Sequence, residues 1–172
     1  MNNDNFEFDD EEDDVPDGSG QAWYARFVHP TDFTFITPNL AVGGQISTLA
    51  DVARLKAAGV TNVINVQQEF NDRKLLGSIP GIWLPVPDDL QRKPLGWWKA
   101  GIDYGKEVLA QPGRILYVHC FAGINRSVGM TYAILRATGV SRSAAAMMIL
   151  RKRPVARPTY FAFAEEALAV LA

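Results

Sequence analysis

Residues 115–135, ILYVHCFAGINRSVGMTYAIL, oblige the chain to leave a short β-branched run, turn through a glycine and enter an apolar helix. A strand delivered this directly to a helix is a β–α unit, and such units stack into layers around a mainly parallel sheet. The rest of the sequence carries the same alternation. FTFITPNLAVGG (33–44) alternates apolar residues and ends in glycines, which predicts a strand pair. TNVINVQ (61–67), GIWLPVP (81–87) and RILYV (114–118) predict further strands. Between them, STLADVARLKAAGV (47–60) predicts a helix, with Thr48 and Asp51 at capping-box spacing and Gly59 at its stop. Leu49, Val52 and Leu55 form its inner stripe. PLGWWKAGIDYGKEVLA (94–110) predicts a second helix with Leu95, Trp98, Ile102 and Leu109 on one face and Trp97 exposed near a cleft. RSVGMTYAILRATG (126–139), closed by Gly139, predicts a third, and two more fall near 141–152 and 159–171. The expected fold is α/β: a central, mainly parallel twisted sheet flanked by helices in one compact domain.

A chain of 172 residues, 48% hydrophobic, is long enough for one core. Its charge is uneven. Residues 1–20 hold nine acidic and no basic side chains, which leaves ten acids against 17 bases in 21–172. An acidic block repels itself and buries little apolar surface, so a disordered tail is expected over 1–20 and the folded domain over 21–172. The positive body suits anionic substrates but is too weakly charged to indicate nucleic acid. No apolar run approaches the 18 residues or so of a membrane span, and the acidic start lacks the pattern of a signal peptide. The single cysteine excludes an internal disulfide framework and suits a reducing, cytoplasmic setting. The chain is taken as a monomer.

That cysteine, Cys120, stands where the strand gives way to the turn. The free N–H groups of the following helix and a backbone curl around Gly123 form a nest for an anion at the carboxyl end of the sheet. A thiolate is stabilised there, which makes a cysteine a nucleophile at neutral pH. Arg126 supplies a planar, permanently charged fork suited to phosphate oxygens, and Ser127 a hydroxyl able to donate to sulfur. His119 reads as structural, since His29 is far away in sequence. A lone cysteine is more often a small buried hydrophobe. Against that, His119, Cys120, Gly123, Arg126 and Ser127 fix five positions together, a coincidence on the order of one chain in ten thousand.

HCFAGINRS (119–127) resembles the His-Cys-x5-Arg-Ser/Thr signature of the cysteine-dependent protein phosphatases, in the form of their dual-specificity branch. The similarity extends over about 33–171 through FTFITPNLAVGG, GVTNVINV and LRATGVSRSAAAMMILRKRPVARP, with Thr159 where many relatives carry Asn. The resemblance implies that Cys120 attacks phosphorus. Arg126 and the loop His119, Phe121, Ala122, Gly123, Ile124 and Asn125 would hold the phosphoryl oxygens. Ser127 would assist release of a cysteinyl-phosphate, and His119 would support the thiolate by hydrogen bonding within the loop. It implies neither metal nor cofactor.

A leaving alkoxide or phenolate needs a proton. LPVPDDL (84–90) offers Asp88 and Asp89 at a strand end. Such a family carries its acid about thirty residues before the cysteine, and the strand-end pattern selects Asp88, with Asp89 the alternative. Between Cys120 and Arg126 there is no Lys or further Arg, whereas phosphoinositide-directed relatives often place bases there. The expected substrate is therefore a phosphoprotein, through phosphotyrosine and phosphoserine or phosphothreonine. The alternatives are a non-protein phosphate ester (lipid headgroup, nucleotide end or sugar phosphate) or a silent phospho-binding module. Arg151, Lys152, Arg153 and Arg157 read as solvated surface, with a second anion site as the alternative.

Overall fold

The computed structural model describes residues 32–172, so the expected acidic tail and the first residues of 21–172 lie outside the described residues. In chain order the elements are β1 (Phe33–Thr37), β2 (Leu40–Gly43), α1 (Leu49–Ala57), β3 (Asn62–Gln67), α2 (Arg73–Leu76), β4 (Gly81–Val86), α3 (Leu95–Leu109), β5 (Leu116–His119), α4 (Arg126–Ala137), α5 (Arg142–Lys152) and α6 (Phe161–Leu171). They form one five-stranded sheet in the order β1-β2-β5-β3-β4. Only the edge pair β1–β2 is antiparallel; β2–β5, β5–β3 and β3–β4 are parallel. The expected α/β fold is present.

Period-two alternation divides each inner strand between two layers. Leu116 and Val118 of β5, Ile64 and Val66 of β3, and Leu40 and Val42 of β2 face the core built with α3 to α6. Tyr117, Val63 and Ala41 face the smaller core built with α1 and α2. Because both faces are covered, the inner strands are buried throughout. β5 sits at the centre, in register with Val42 on one side and Ile64 on the other through Val118. Its carboxyl end therefore opens between β2 and β3. This is where the chain's order across the sheet reverses, the usual place for a ligand crevice.

The capping box of α1 forms as expected: Asp51 N donates to Thr48 Oγ1 (3.2 Å) and Thr48 N to Asp51 Oδ2 (2.8 Å). Other expectations are corrected. Leu49 is 69% exposed; the buried face of α1 is Asp51, Val52 and Leu55, and Leu49, at the helix's first position, falls outside that arc. In α3, Leu95 is exposed and Leu109 half-buried, because Trp97, Trp98, Gly101, Ile102, Gly105 and Val108 form the buried face. Trp97 is buried rather than at a cleft, and its indole N–H donates to Leu84 O (2.8 Å). Its polar tip has a partner inside, so the ring need not stay wet. α2, a single turn, follows no apolar periodicity. Among the described residues no helix is long and apolar enough to cross a membrane.

Candidate active site

Cys120 follows the last residue of β5 and opens the turn into α4. Two backbone bonds moor that turn to the neighbouring strand end: Gln45 N donates to Phe121 O (2.9 Å) and Cys120 N to Gly43 O (3.4 Å). Gly123 takes φ +67°, and a Cβ there would strike the Gly43 backbone and the Arg153 guanidinium. Only glycine meets both demands. α4 then starts at Arg126, which brings the unpaired N–H groups of its first turn to the loop.

Cys120 is buried, and its Sγ lies 3.2 Å from Ser127 Oγ. With sulfur as thiolate the hydroxyl is the donor of that bond. Arg126 is also buried, yet makes a forked ion pair: Nη1 donates to Glu69 Oε2 (2.8 Å) and Nη2 to Glu69 Oε1 (2.9 Å). Nη1 further donates to Val86 O at 2.9 Å. Burial works against the charge, but the Glu69 bonds and the charges of Cys120, Glu69 and Asp88 outweigh it and raise the guanidinium above the usual arginine range. Arg126 Nε is buried without a hydrogen-bond partner and lies 3.6 Å from Asp88 Oδ2. An N–H left open beside a thiol and a helix N-terminus is a donor ready for an anionic oxygen.

The two aspartates part company. Asp88 Oδ2 accepts from Asn125 Nδ2 (3.4 Å) and Oδ1 from the Tyr160 hydroxyl (3.2 Å), so its carboxyl leans over the phosphate loop. Asp89 turns away to the Lys93 ammonium and the Gln91 N–H, which lower its carboxyl below the usual range. Of the two, Asp88 is the carboxyl brought to Asn125 and Arg126.

His119 reaches the loop through backbone only: Nδ1 faces Cys120 O (3.3 Å), while Nε2 pairs with Asp72 Oδ2 (2.7 Å). Asn65 Nδ2 donates to the other Asp72 oxygen at 3.0 Å. Burial opposes ionisation of Asp72, but His119 and Asn65 outweigh it and lower its carboxyl below the usual range. Within the loop His119 thus meets the Cys120 carbonyl and Ser127 meets the sulfur, while the other imidazole nitrogen ties the strand end to Asp72.

Of the expected basic surface cluster, Arg151 and Arg157 are exposed, but Arg153 is not. Its side chain is 2% exposed and lies behind the loop, where Nε donates to Gly123 O (2.7 Å) and the remaining nitrogens reach Thr34, Asp32 and Ala122 O. Loop carbonyls turned out of the cradle find their partner there, which overturns the solvated reading for this residue. Thr159 Oγ1 bonds Asn125 Oδ1 at 3.3 Å, so the Asn-to-Thr departure keeps a polar contact to the loop. Sequence reading missed Glu69, Asp72, Tyr160 and the role of Arg153. Each meets its partner 30 or more positions away, beyond any local pattern.

Comparison with known proteins accords with this geometry. The family model described as dual specificity phosphatase, catalytic domain, matches residues 43–164. Dual specificity protein phosphatase 16 of Homo sapiens is 29% identical over 128 residues, 74% of this chain and 19% of that protein. The matches span 19 to 31% of the curated relatives' own lengths. Among solved structures, human DUSP28 superposes with a TM-score of 0.69 at 23% identity, over 80% of this chain and 96% of that one. PTPMT1 in complex with PI(5)P gives 0.67 at 21%, over 81% and 99%. At these identities the two structures speak for the fold. The family match covers most of the chain and includes the whole loop from Cys120 to Arg126, and the chain belongs to the dual specificity phosphatase catalytic domain family.

Proposed function

We propose that this chain hydrolyses phosphomonoesters of proteins, on tyrosine and on serine or threonine, through a cysteinyl-phosphate. The observation that carries the reading is the convergence of Cys120 Sγ with Ser127 Oγ at 3.2 Å and of the open Arg126 Nε with Asp88 at 3.6 Å around one loop. In the first step the Cys120 thiolate attacks phosphorus and the phosphorus–oxygen ester bond breaks. Asp88, protonated, gives its proton to the departing oxygen. Arg126 and the loop N–H groups hold the three equatorial oxygens, where charge accumulates. In the second step Asp88 takes a proton from water, whose oxygen attacks phosphorus. The sulfur–phosphorus bond breaks, and Ser127 donates to the returning thiolate. The buried site and its lone thiol suit a reducing cytoplasm.

The absence of Lys or Arg among Phe121 to Asn125 supports a substrate with a single phosphate over a polyphosphorylated headgroup. The test has two parts. Ser127→Ala, quenched during turnover of a labelled phosphopeptide, should accumulate label on Cys120, and label elsewhere or nowhere defeats the mechanism. A panel of phosphotyrosine, phosphoserine and phosphothreonine peptides against phosphoinositides and sugar phosphates should favour the peptides in kcat/KM. Preference for a non-protein ester would leave the chemistry and replace the substrate.

A further inference from the structure

We propose that Tyr160 is a positioning residue of the reaction, the post on which the loop carrying Asp88 is held. The proposal rests on the reading of Asp88 as general acid. Tyr160, just before α6, is 1% exposed, and its hydroxyl is used in both directions. It donates to Asp88 Oδ1 (3.2 Å) and accepts from Leu90 N (3.1 Å). The Lys93 ammonium, which binds Asp89, lies 5.4 Å from the centre of the Tyr160 ring. One side chain thus contacts the loop at Asp88, Leu90 and Lys93, three positions across which it has no regular structure of its own.

Two further observations show that the surroundings are shaped to this contact. Leu90 is the only non-glycine residue at positive φ among the described residues (+60°), a conformation that persists where neighbours over-determine it. Here it aims the Leu90 N–H at the tyrosine. On the other side of the ring, Gly129 of α4 lies three residues beyond Arg126, and a Cβ on it would come 2.5 Å from Tyr160 Cβ. Glycine at 129 lets Tyr160 seat against the helix that starts at Arg126, so acid loop and phosphate cradle are referenced to the same element. Burial, and then the Asp88 carboxylate, raise the phenol well above its ordinary value, so it stays protonated and able to donate.

The Tyr160 hydroxyl is taken up by Asp88 and Leu90, and it acts through Asp88. Tyr160→Phe removes one oxygen and keeps the ring between Gly129 and Lys93. Turnover of phenyl phosphate, a poor leaving group, should fall about ten-fold, the scale of one hydrogen bond to a charged group. Turnover of 4-nitrophenyl phosphate, which needs little protonation, should fall less than about two-fold. Unchanged tungstate inhibition would verify an intact cradle. In Asp88→Asn the further change Tyr160→Phe should add nothing, since its target is gone. Equal losses on both substrates, no loss on either, or additive losses in the double variant would overturn the proposal while Asp88→Asn alone kept its leaving-group dependence. If Asp88→Asn itself showed no such dependence, the general-acid reading would fall, and the role of Tyr160 with it.

Discussion

The loop of residues 119–127 and the loop of residues 87–93 meet through Asn125 and Asp88, yet they are built on different principles. Residues 119–127 are contiguous, moored to Gly43 and Gln45 by backbone bonds, and continue directly into α4. Residues 87–93 have no repeating structure and take their shape from Tyr160, from Asn125 and from the ion pair of Lys93 with Asp89. A nucleophile and its anion cradle demand several backbone N–H groups converging on one point, which a strand–turn–helix supplies locally. A proton donor demands one carboxyl at the right distance, which a side chain from elsewhere in the fold can set. The first is a property of a peptide segment, the second of the assembled domain.

This contrast is sharpest in the nucleophile. Cys120→Ser should lower kcat on an aryl phosphate by more than about 10⁴, since a hydroxyl at neutral pH is a far weaker nucleophile than a thiolate. Tungstate binding, followed by calorimetry, should survive because the cradle is backbone and Arg126. Loss of both would mean that the loop depends on the sulfur for its shape. On the acid side, Asp88→Asn should cut kcat on poor leaving groups by about 10²–10⁴ and Asp89→Asn by only a few-fold. The reverse order in a leaving-group series would show that the loop turns over when substrate binds.

Smaller effects separate holding from reacting. Glu69 grips both Arg126 Nη atoms, so Glu69→Gln should loosen the fork and raise KM about three- to ten-fold with kcat less affected. A fall in kcat with KM intact would instead place Glu69 in the transition state. The smallest catalytic effect is expected far from the site, at Glu165. There Arg136, opposed by burial and helped by Tyr132 and Arg142, lowers the carboxyl from 4.5 to about 2. A carboxyl depressed in the folded state stabilises fully above its unfolded value and loses that contribution as pH falls through its folded one. Glu165→Gln should therefore lower Tm by about 2–4 °C at pH 7. The gap to the parent should close between pH 4.5 and about 2, with kcat unchanged. A constant gap across that range would locate the effect in packing.

Much of this was legible in the linear chain, for physical reasons. An alternating run at 33–44 and short strand-like runs at 61–67, 81–87 and 114–118, with helical stretches between them, are enough to dictate an α/β sheet because strand and helical repeats bury different faces. The capping box at Thr48 and Asp51 is a contact over three residues. The Cys120 loop was readable because its ingredients lie within nine positions. What failed was finer: Leu49 and Leu95 sit at helix starts, where apolar identity does not ensure that the side chain faces a neighbour, and Trp97 has a carbonyl partner on β4 that no periodicity reveals.

The chain by itself thus determined the class of fold and the strand–turn–helix that carries Cys120 and Arg126, since each depends on backbone preference and on residues a few positions apart. Tertiary structure alone decided that Arg126 is gripped by Glu69, that His119 pairs with Asp72, that Arg153 lies buried behind the loop, and that Asp88 rather than Asp89 reaches Asn125 and Arg126. These partners lie 30 to 57 positions apart in the chain. Such contacts form only after the sheet has aligned β5, β3 and β4 and α6 has packed against α4, so their energies act on the folded domain and leave no periodic trace in the sequence.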